Sequence, residues 1–203
     1  MGWTRNVSNR IAKRLTMEGS PYTAGQISHG IEIFLLNLIN AAVLLLAAWL
    51  LGIFLETLCF SLVLFLHRVI TGGVHLKNPW TCLIVGLLIM LGGGYLVKHF
   101  PLLPLPAAYA LILLGFGTAF VIYYRHAPAA HSYVNYQPSV KQTSRKVAFS
   151  LLGCACIISF VLVELSYRLA MTYTLAVFLQ SLLLHPVAFR LVARLETTIL
   201  KGW

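Results

Sequence analysis

Residues 31–51 read IEIFLLNLINAAVLLLAAWLL, an apolar run in which Glu32 is the one charged side chain. A helix that crosses the hydrocarbon of a bilayer needs about 20 mostly apolar residues, and this stretch supplies them in one segment. Five further stretches meet the same criterion: 54–70, 81–97, 106–124, 147–165 and 169–189. The second of the six is the weakest, being short, with Glu56 near one end and Arg68 near the other. Together the spans leave little chain for a soluble domain. The expectation is an all-α membrane protein, a single polytopic domain over residues 1–203 with six transmembrane helices.

Composition agrees. Of 203 residues 59% are hydrophobic and 10% charged, where a soluble domain carries about a quarter charged residues. The mean hydropathy is +0.84. The acids are Glu18, Glu32, Glu56, Glu164 and Glu196, with no aspartate. That excludes aspartic-protease dyads, aspartyl-phosphate chemistry and Ser-His-Asp triads, and argues against carboxylate-rich metal cages. Neither a metal nor a cofactor is expected.

The 15 basic residues sort by connection. Arg5, Arg10, Lys13 and Arg14 precede the first span. Arg68 and Lys77 belong to the second connection, Arg125, Lys141, Arg145 and Lys146 to the fourth, and Arg190, Arg194 and Lys201 to the tail. Lys98 and Arg168 alone fall on the other side. The excess of Lys and Arg in cytoplasmic connections then places both termini and the second and fourth connections in the cytoplasm. A wrong number of spans would scramble this asymmetry.

Upstream of the spans no cleaved signal peptide is apparent, since the chain is polar and basic there. Residues 3–17 read as an amphipathic interfacial helix: Trp3, Val7, Ile11 and Leu15 recur every four residues while Arg10 and Lys13 point elsewhere, although Arg14 falls near the stripe. Such a helix anchors the chain on anionic lipid or offers a docking surface to a partner helix. Internal repeats are not evident, which counts against an inverted-repeat transporter. Residues 125–146 read as a cytoplasmic loop and 100–106 as a proline-punctuated outer turn.

Cys59, Cys82, Cys154 and Cys156 form no CxxC pair, so zinc-ribbon and thioredoxin motifs are absent. Three of them lie inside apolar spans, where cysteine behaves as a small hydrophobe. Cys82 differs. It ends the run Thr71-Gly-Gly-Val-His-Leu-Lys-Asn-Pro-Trp-Thr-Cys82, in which Asn78 is a good N-cap and Pro79 a favoured first helical residue. The pair predicts a helix from Pro79 with Cys82 in or beside its first turn, where the helix dipole favours an anion and hence a nucleophilic thiolate.

His75 stands seven residues earlier. Along one continuous helix that separation is about 10 Å, too far for a base in hydrogen-bond reach. Gly72-Gly73 and Asn78-Pro79 permit a fold-back, so a Cys82–His75 dyad is geometrically allowed; the alternative is that the glycines turn the chain and His75 sits wet at the interface. Glu32 is a candidate to orient His75 as a third member, or to pair structurally with Arg68. Gln26 is a candidate to orient the imidazole or to donate to an oxyanion. His67 and His185 end spans, His185-Pro186 reads as a terminating or kinking feature, and His126 with His131 lacks further metal ligands. Gly92-Gly93-Gly94 lacks the Lys-Ser/Thr of a phosphate loop and fits close helix packing or a local break. The basic loops are too short and too membrane-bound for nucleic-acid binding.

At these residues the sequence resembles the accessory gene regulator B (AgrB) family of membrane cysteine endopeptidases, which process quorum-sensing pheromone precursors. Arg68…Gly72-Gly73-Val74-His75…Cys82 matches the family's Gly-Gly-x-His followed seven residues later by cysteine, with an upstream arginine. Gln26-Ile-Ser-His-Gly-Ile-Glu32…Asn37 is similar to its segment leading into the first span, and Ala127-Pro128-Ala129 to an Ala-Pro motif in the fourth connection. The chain departs where an aspartate often follows that motif; Ala130 and His131 stand there.

The resemblance implies Cys82 as nucleophile and His75 as general base and acid, with Glu32, Gln26, Arg68 and Gly73 in support. It implies as substrate a short propeptide with an amphipathic N-terminal segment and an acidic tail, cleaved at the cytoplasmic face and cyclised to a thiolactone, and it leads one to expect a homodimer. No fused precursor is expected after Trp203. A basic cytoplasmic face would attract an acidic tail. The reading from another class is a non-catalytic transporter or scaffold, using Glu32, Arg68 and the mid-span glycines.

Overall fold

The computed structural model describes residues 2–16, 22–74, 76, 79–129 and 138–198. Among these there are eight helices and no strand: α1 (Gly2–Leu15), α2 (Ala24–Leu50), α3 (Phe54–Thr71), α4 (Pro79–Lys98), α5 (Leu105–His126), α6 (Pro138–Leu165), α7 (Tyr167–Leu184) and α8 (Pro186–Thr198). Six of them, α2 to α7, are long and apolar enough to cross a membrane. Large side chains such as Phe34 and Trp49 of α2, Leu62 and Phe65 of α3, and Leu113 and Leu114 of α5 point outward and exposed. Apolar surface on that scale suits lipid, where only helices or closed barrels satisfy their own backbone. The chain is an all-helical, multi-pass membrane protein.

Helix bounds follow local chemistry that hydropathy alone passes over. α2 begins at Ala24, upstream of the apolar run, because Thr23 and Gln26 form a reciprocal cap. The Gln26 backbone N–H donates to Thr23 Oγ1 (3.3 Å) and the Thr23 N–H to Gln26 Oε1 (2.9 Å), a capping box. α6 begins at Pro138, whose missing N–H is harmless in a first turn. Lys141, Arg145 and Lys146 therefore ride on a polar extension of the helix rather than on a loop. Arg145 donates to the Tyr124 carbonyl (2.7 Å) with its guanidinium 4.9 Å from that tyrosine's ring centre. The apolar stretch 169–189 is split: α7 stops at Leu184 and α8 starts at Pro186, with His185 extended at φ −71°, ψ 141°. Proline disfavours helical geometry in the residue before it.

The contacts divide the chain into two compact units, Met1–Ala47 and Ala48–Trp203, the division falling inside α2. In the first unit α1 buries Thr4, Ser8 and Ala12, while Trp3, Ile11 and Leu15 are exposed. The stripe read from the sequence is thus the outward face, and small residues one position along form the inward one. Ser28 of α2 donates to Asn9 (2.6 Å).

In the second unit α7 is the central helix, packed by α3, α4, α5, α6 and α8, and half of its span is buried. Phe60 and Leu64 of α3, Ile112, Phe116 and Tyr123 of α5, and Met171 and Val177 of α7 form the core. α4 meets α3 through glycines: a Cβ at Gly93 would collide with Phe60 and one at Gly94 with Thr57. Small residues allow membrane helices this approach, as expected of the glycine run. The end of the unit remote from residues 71–74 is tied by Lys98 to the Gly52 carbonyl (2.6 Å), Tyr109 to Glu164 (2.8 Å) and an Arg168–Glu56 ion pair (3.9 Å).

Candidate active site at the end of the third helix

α3 ends because two glycines follow it in conformations that side chains disfavour. Gly72 has φ +72° and Gly73 φ +148°, and the Gly72 N–H closes the last turn on the Arg68 carbonyl (2.8 Å). The emerging strand of backbone is then held on several sides. The Val74 N–H donates to the Leu183 carbonyl of α7 (3.1 Å), and the Arg68 guanidinium donates to the Val74 carbonyl. The Ala129 N–H, just past the Ala127–Pro128 cis peptide, donates to the Thr71 carbonyl (2.9 Å). Gln180 of α7 donates from Nε2 to Thr71 Oγ1 (3.0 Å) and to the Gly72 carbonyl (2.7 Å).

Space is as tight as the hydrogen bonding. A Cβ at Gly73 would lie 3.3 Å from Arg68 Nη1 and 3.5 Å from both Gln180 Nε2 and the Leu183 carbonyl. Behind this segment Thr71 Oγ1 donates to the His67 carbonyl (2.9 Å), and His67 Nδ1 pairs with the Tyr123 hydroxyl (3.1 Å). His67, Thr71 and Gln180 are all buried. Residues 71–74 therefore rest on a polar platform inside an otherwise apolar bundle, a costly arrangement that membrane proteins keep where polar groups have work.

α4 begins at Pro79, as the Asn78-Pro79 pair predicts, and Cys82 lies in its first turns, half-buried and free. The Arg68 guanidinium is within electrostatic range of the Cys82 thiol. Arg68, Gly73 and Cys82 thus belong to one neighbourhood in the second unit. His75, next in the chain after the pinned Val74, lies outside the described residues, as do Asn78, Ala130 and His131. Gln26 and Glu32 belong to the first unit, Gln26 in the cap of α2 and Glu32 accepting a long hydrogen bond from Thr4 (3.5 Å). Among the described residues no three His, Cys, Asp or Glu side chains gather as a metal site would require; His126 and His185 approach each other edge to face, with ring centres 5.5 Å apart.

Sequence reasoning missed Gln180 and the use made of His67, Thr71 and Tyr123. The available signal was an amide in the middle of an apolar span, the kind of residue that marks function by default. Arg68, offered as a structural partner of Glu32 and as a supporting residue of the site, donates from its guanidinium to a backbone carbonyl.

The model of the family described as AgrB, accessory gene regulator B, matches residues 4–184, from α1 to the end of α7. A protein of Clostridium acetobutylicum that carries the name AgrB-like is 28% identical over 149 residues, covering 72% of this chain and 68% of its own. No solved structure matches the chain. The matched region takes in both glycines, the pinned backbone after them and the helix that presents Cys82, and by that extent the chain belongs to the accessory gene regulator B family.

Proposed function

We propose that the protein is a membrane cysteine endopeptidase of the accessory gene regulator, quorum-sensing system, with Cys82 as nucleophile and His75 as general base and acid. What supports this reading is the Thr71–Val74 segment, held by hydrogen bonds and leading in sequence into His75, together with Arg68, which holds that segment and is within electrostatic range of Cys82. Cys82 sulfur attacks the backbone carbonyl before the propeptide's acidic tail. The proton from the thiol passes by way of His75 to the departing amine, the C–N bond breaks, and a thioester on Cys82 remains. A cysteine thiol within the peptide then attacks that thioester, releasing a thiolactone and regenerating the Cys82 thiol.

One thioester replaces another in that second step, so water must be kept out and departure of the tail must draw the reaction forward. Apolar spans around a site at the bilayer edge serve the first need. Arg68 supplies a cation to the negative charge that develops during attack. Thirteen basic residues assigned by charge to the cytoplasmic side attract an acidic tail, and the outward Trp3, Ile11 and Leu15 of α1, beside Arg10, Lys13 and Arg14, suit an anionic lipid surface.

Co-expression with the propeptide encoded beside the gene tests the activity. Mass analysis should show a shortened, dehydrated peptide and, after rapid acid quenching, a peptide fragment esterified to Cys82. An unchanged propeptide in a strain that makes the protein would sink the proposal. The orientation has its own test. In a variant keeping Cys82 as its single cysteine, a membrane-impermeant maleimide should label inverted vesicles and spare intact cells; labelling from outside would remove the cytoplasmic site.

A further inference from the structure

Gln180 lies in the last turns of α7, four residues before its end, with none of its surface exposed, in a helix otherwise packed by residues such as Val177 and Leu184. Burying an amide there costs free energy that a leucine would not. Its two halves are used unequally. Nε2 reaches the Gly72 carbonyl (2.7 Å) and Thr71 Oγ1 (3.0 Å), whereas Oε1 is buried with no hydrogen-bond partner among the described residues. The assignment of the two ends follows from chemistry, because a carbonyl only accepts and the group facing Gly72 must be the NH2. An amide selected for packing α7 would satisfy both halves or be replaced; this one satisfies only the half that meets the residues before Gly73.

We infer that Gln180 is a positioning residue that fixes the Gly72–Gly73 turn and through it the Gly-Gly-x-His…Cys motif. The turn needs such a device. Two glycines in succession have the widest backbone freedom of any residues, and left alone they would let the following chain leave α3 in many directions. The peptide plane between them is held by the Gln180 amide on the Gly72 carbonyl. The next residue is held by Arg68 on the Val74 carbonyl and by the Leu183 carbonyl on the Val74 N–H. These three grips come from α7 and α3. Gln180 is the side chain from a second helix that holds the Gly72 carbonyl, where the Gly72 N–H closes on Arg68 of its own helix and Thr71 Oγ1 reaches the same carbonyl at 3.3 Å. Gln180 also packs against Gly73, where a Cβ would stand 3.5 Å from Nε2.

This inference rests on the cysteine-peptidase reading, so the test separates the two. The full-length protein in lipid nanodiscs is given synthetic propeptide, with Cys82→Ala assayed alongside. Gln180→Leu is expected to lower kcat about 10- to 100-fold, the scale of a small misplacement of catalytic groups, with KM close to that of the unsubstituted protein. The pH dependence of Cys82 alkylation by iodoacetamide should shift toward that of His75→Ala, a change that lost packing alone does not produce. Gln180→Asn, which keeps the amide one methylene shorter, should fall between.

If Gln180→Leu does not accumulate in the membrane, the Asn variant is read by the same two criteria. The inference is overturned if cleavage requires Cys82 while either variant, per alkylatable Cys82, keeps the original kcat and alkylation profile. Cleavage that persists in Cys82→Ala overturns the peptidase reading instead.

Discussion

Replacing Cys82 by alanine is expected to cut propeptide processing at least about 1,000-fold, the scale on which enzymes lose activity with their nucleophile, while the protein stays in the membrane at its usual level. Cys82 sits at the start of α4, half-buried, and no described side chain depends on its sulfur for a hydrogen bond. Its removal should therefore spare the fold. Alanine at Cys59, Cys154 and Cys156 together provides the comparison, since these lie within the spans of α3 and α6 and outside the Gly-Gly-x-His…Cys motif. That triple variant should process propeptide within about threefold of the original, a change of less than about 1 kcal/mol in barrier. Quantified product formation in membranes normalised to protein content decides the matter. Processing by Cys82→Ala at the original rate would remove the nucleophile from the mechanism.

The second large effect is expected at Gly73. Its φ of +148° is reached without cost only by glycine, and other residues forced there lose of the order of 1–3 kcal/mol. A methyl group would also press on the Arg68 guanidinium at 3.3 Å. Gly73→Ala should therefore move the turn rather than simply strain it, disturbing both the Arg68 contact with Val74 and the approach to His75. A loss of processing of about 100-fold is expected, with a modest fall in thermal unfolding midpoint. Gly153→Ala is the matched control, because nothing lies within 4 Å of a Cβ there, and its rate should be unchanged. Equal rates for Gly73→Ala and Gly153→Ala would show that the turn's geometry is irrelevant to the chemistry.

The sequence disclosed the spans because lipid imposes one requirement on each of them, an apolar length, and that requirement is local. The start of α4 was legible for a similar reason: Asn78-Pro79 is chemistry between neighbours. The capping box at Thr23 and Gln26 was missed, because hydropathy starts the span at residue 31 while a Thr-x-x-Gln cap starts the helix at Ala24 and occupies Gln26 at its end. Hydropathy carries the sixth span on to residue 189, whereas His185-Pro186, which reads as a terminating feature, ends α7 at Leu184 because the Pro186 ring acts on backbone geometry. Gln180 could not be interpreted in this way. Its partners Thr71 and Gly72 are more than 100 residues away in the chain, and only the packing of α7 on α3 turns an odd amide into a clamp. For α1 the sequence offers an apolar stripe at Trp3, Val7, Ile11 and Leu15, yet the buried side is made by small Thr4, Ser8 and Ala12.

The hydrogen bond from the Ala129 N–H to the Thr71 carbonyl has a consequence for building hybrids between relatives. Thr71 is the last residue of α3 and Ala129 follows the Ala-Pro pair after α5, so the two connections on this side of the bundle share one backbone junction. A crossover placed between Arg125 and Ala129 would pair one parent's junction half with the other's, and would alter the seat of Gly72 even if the exchanged loop were meant only to change what is recognised. A crossover placed after Ala129 keeps both halves of this junction from the same parent but brings Gln180 and Leu183 from the other, so only an exchange that returns to the first parent before α7 changes the loop and leaves the seat of Gly72 intact.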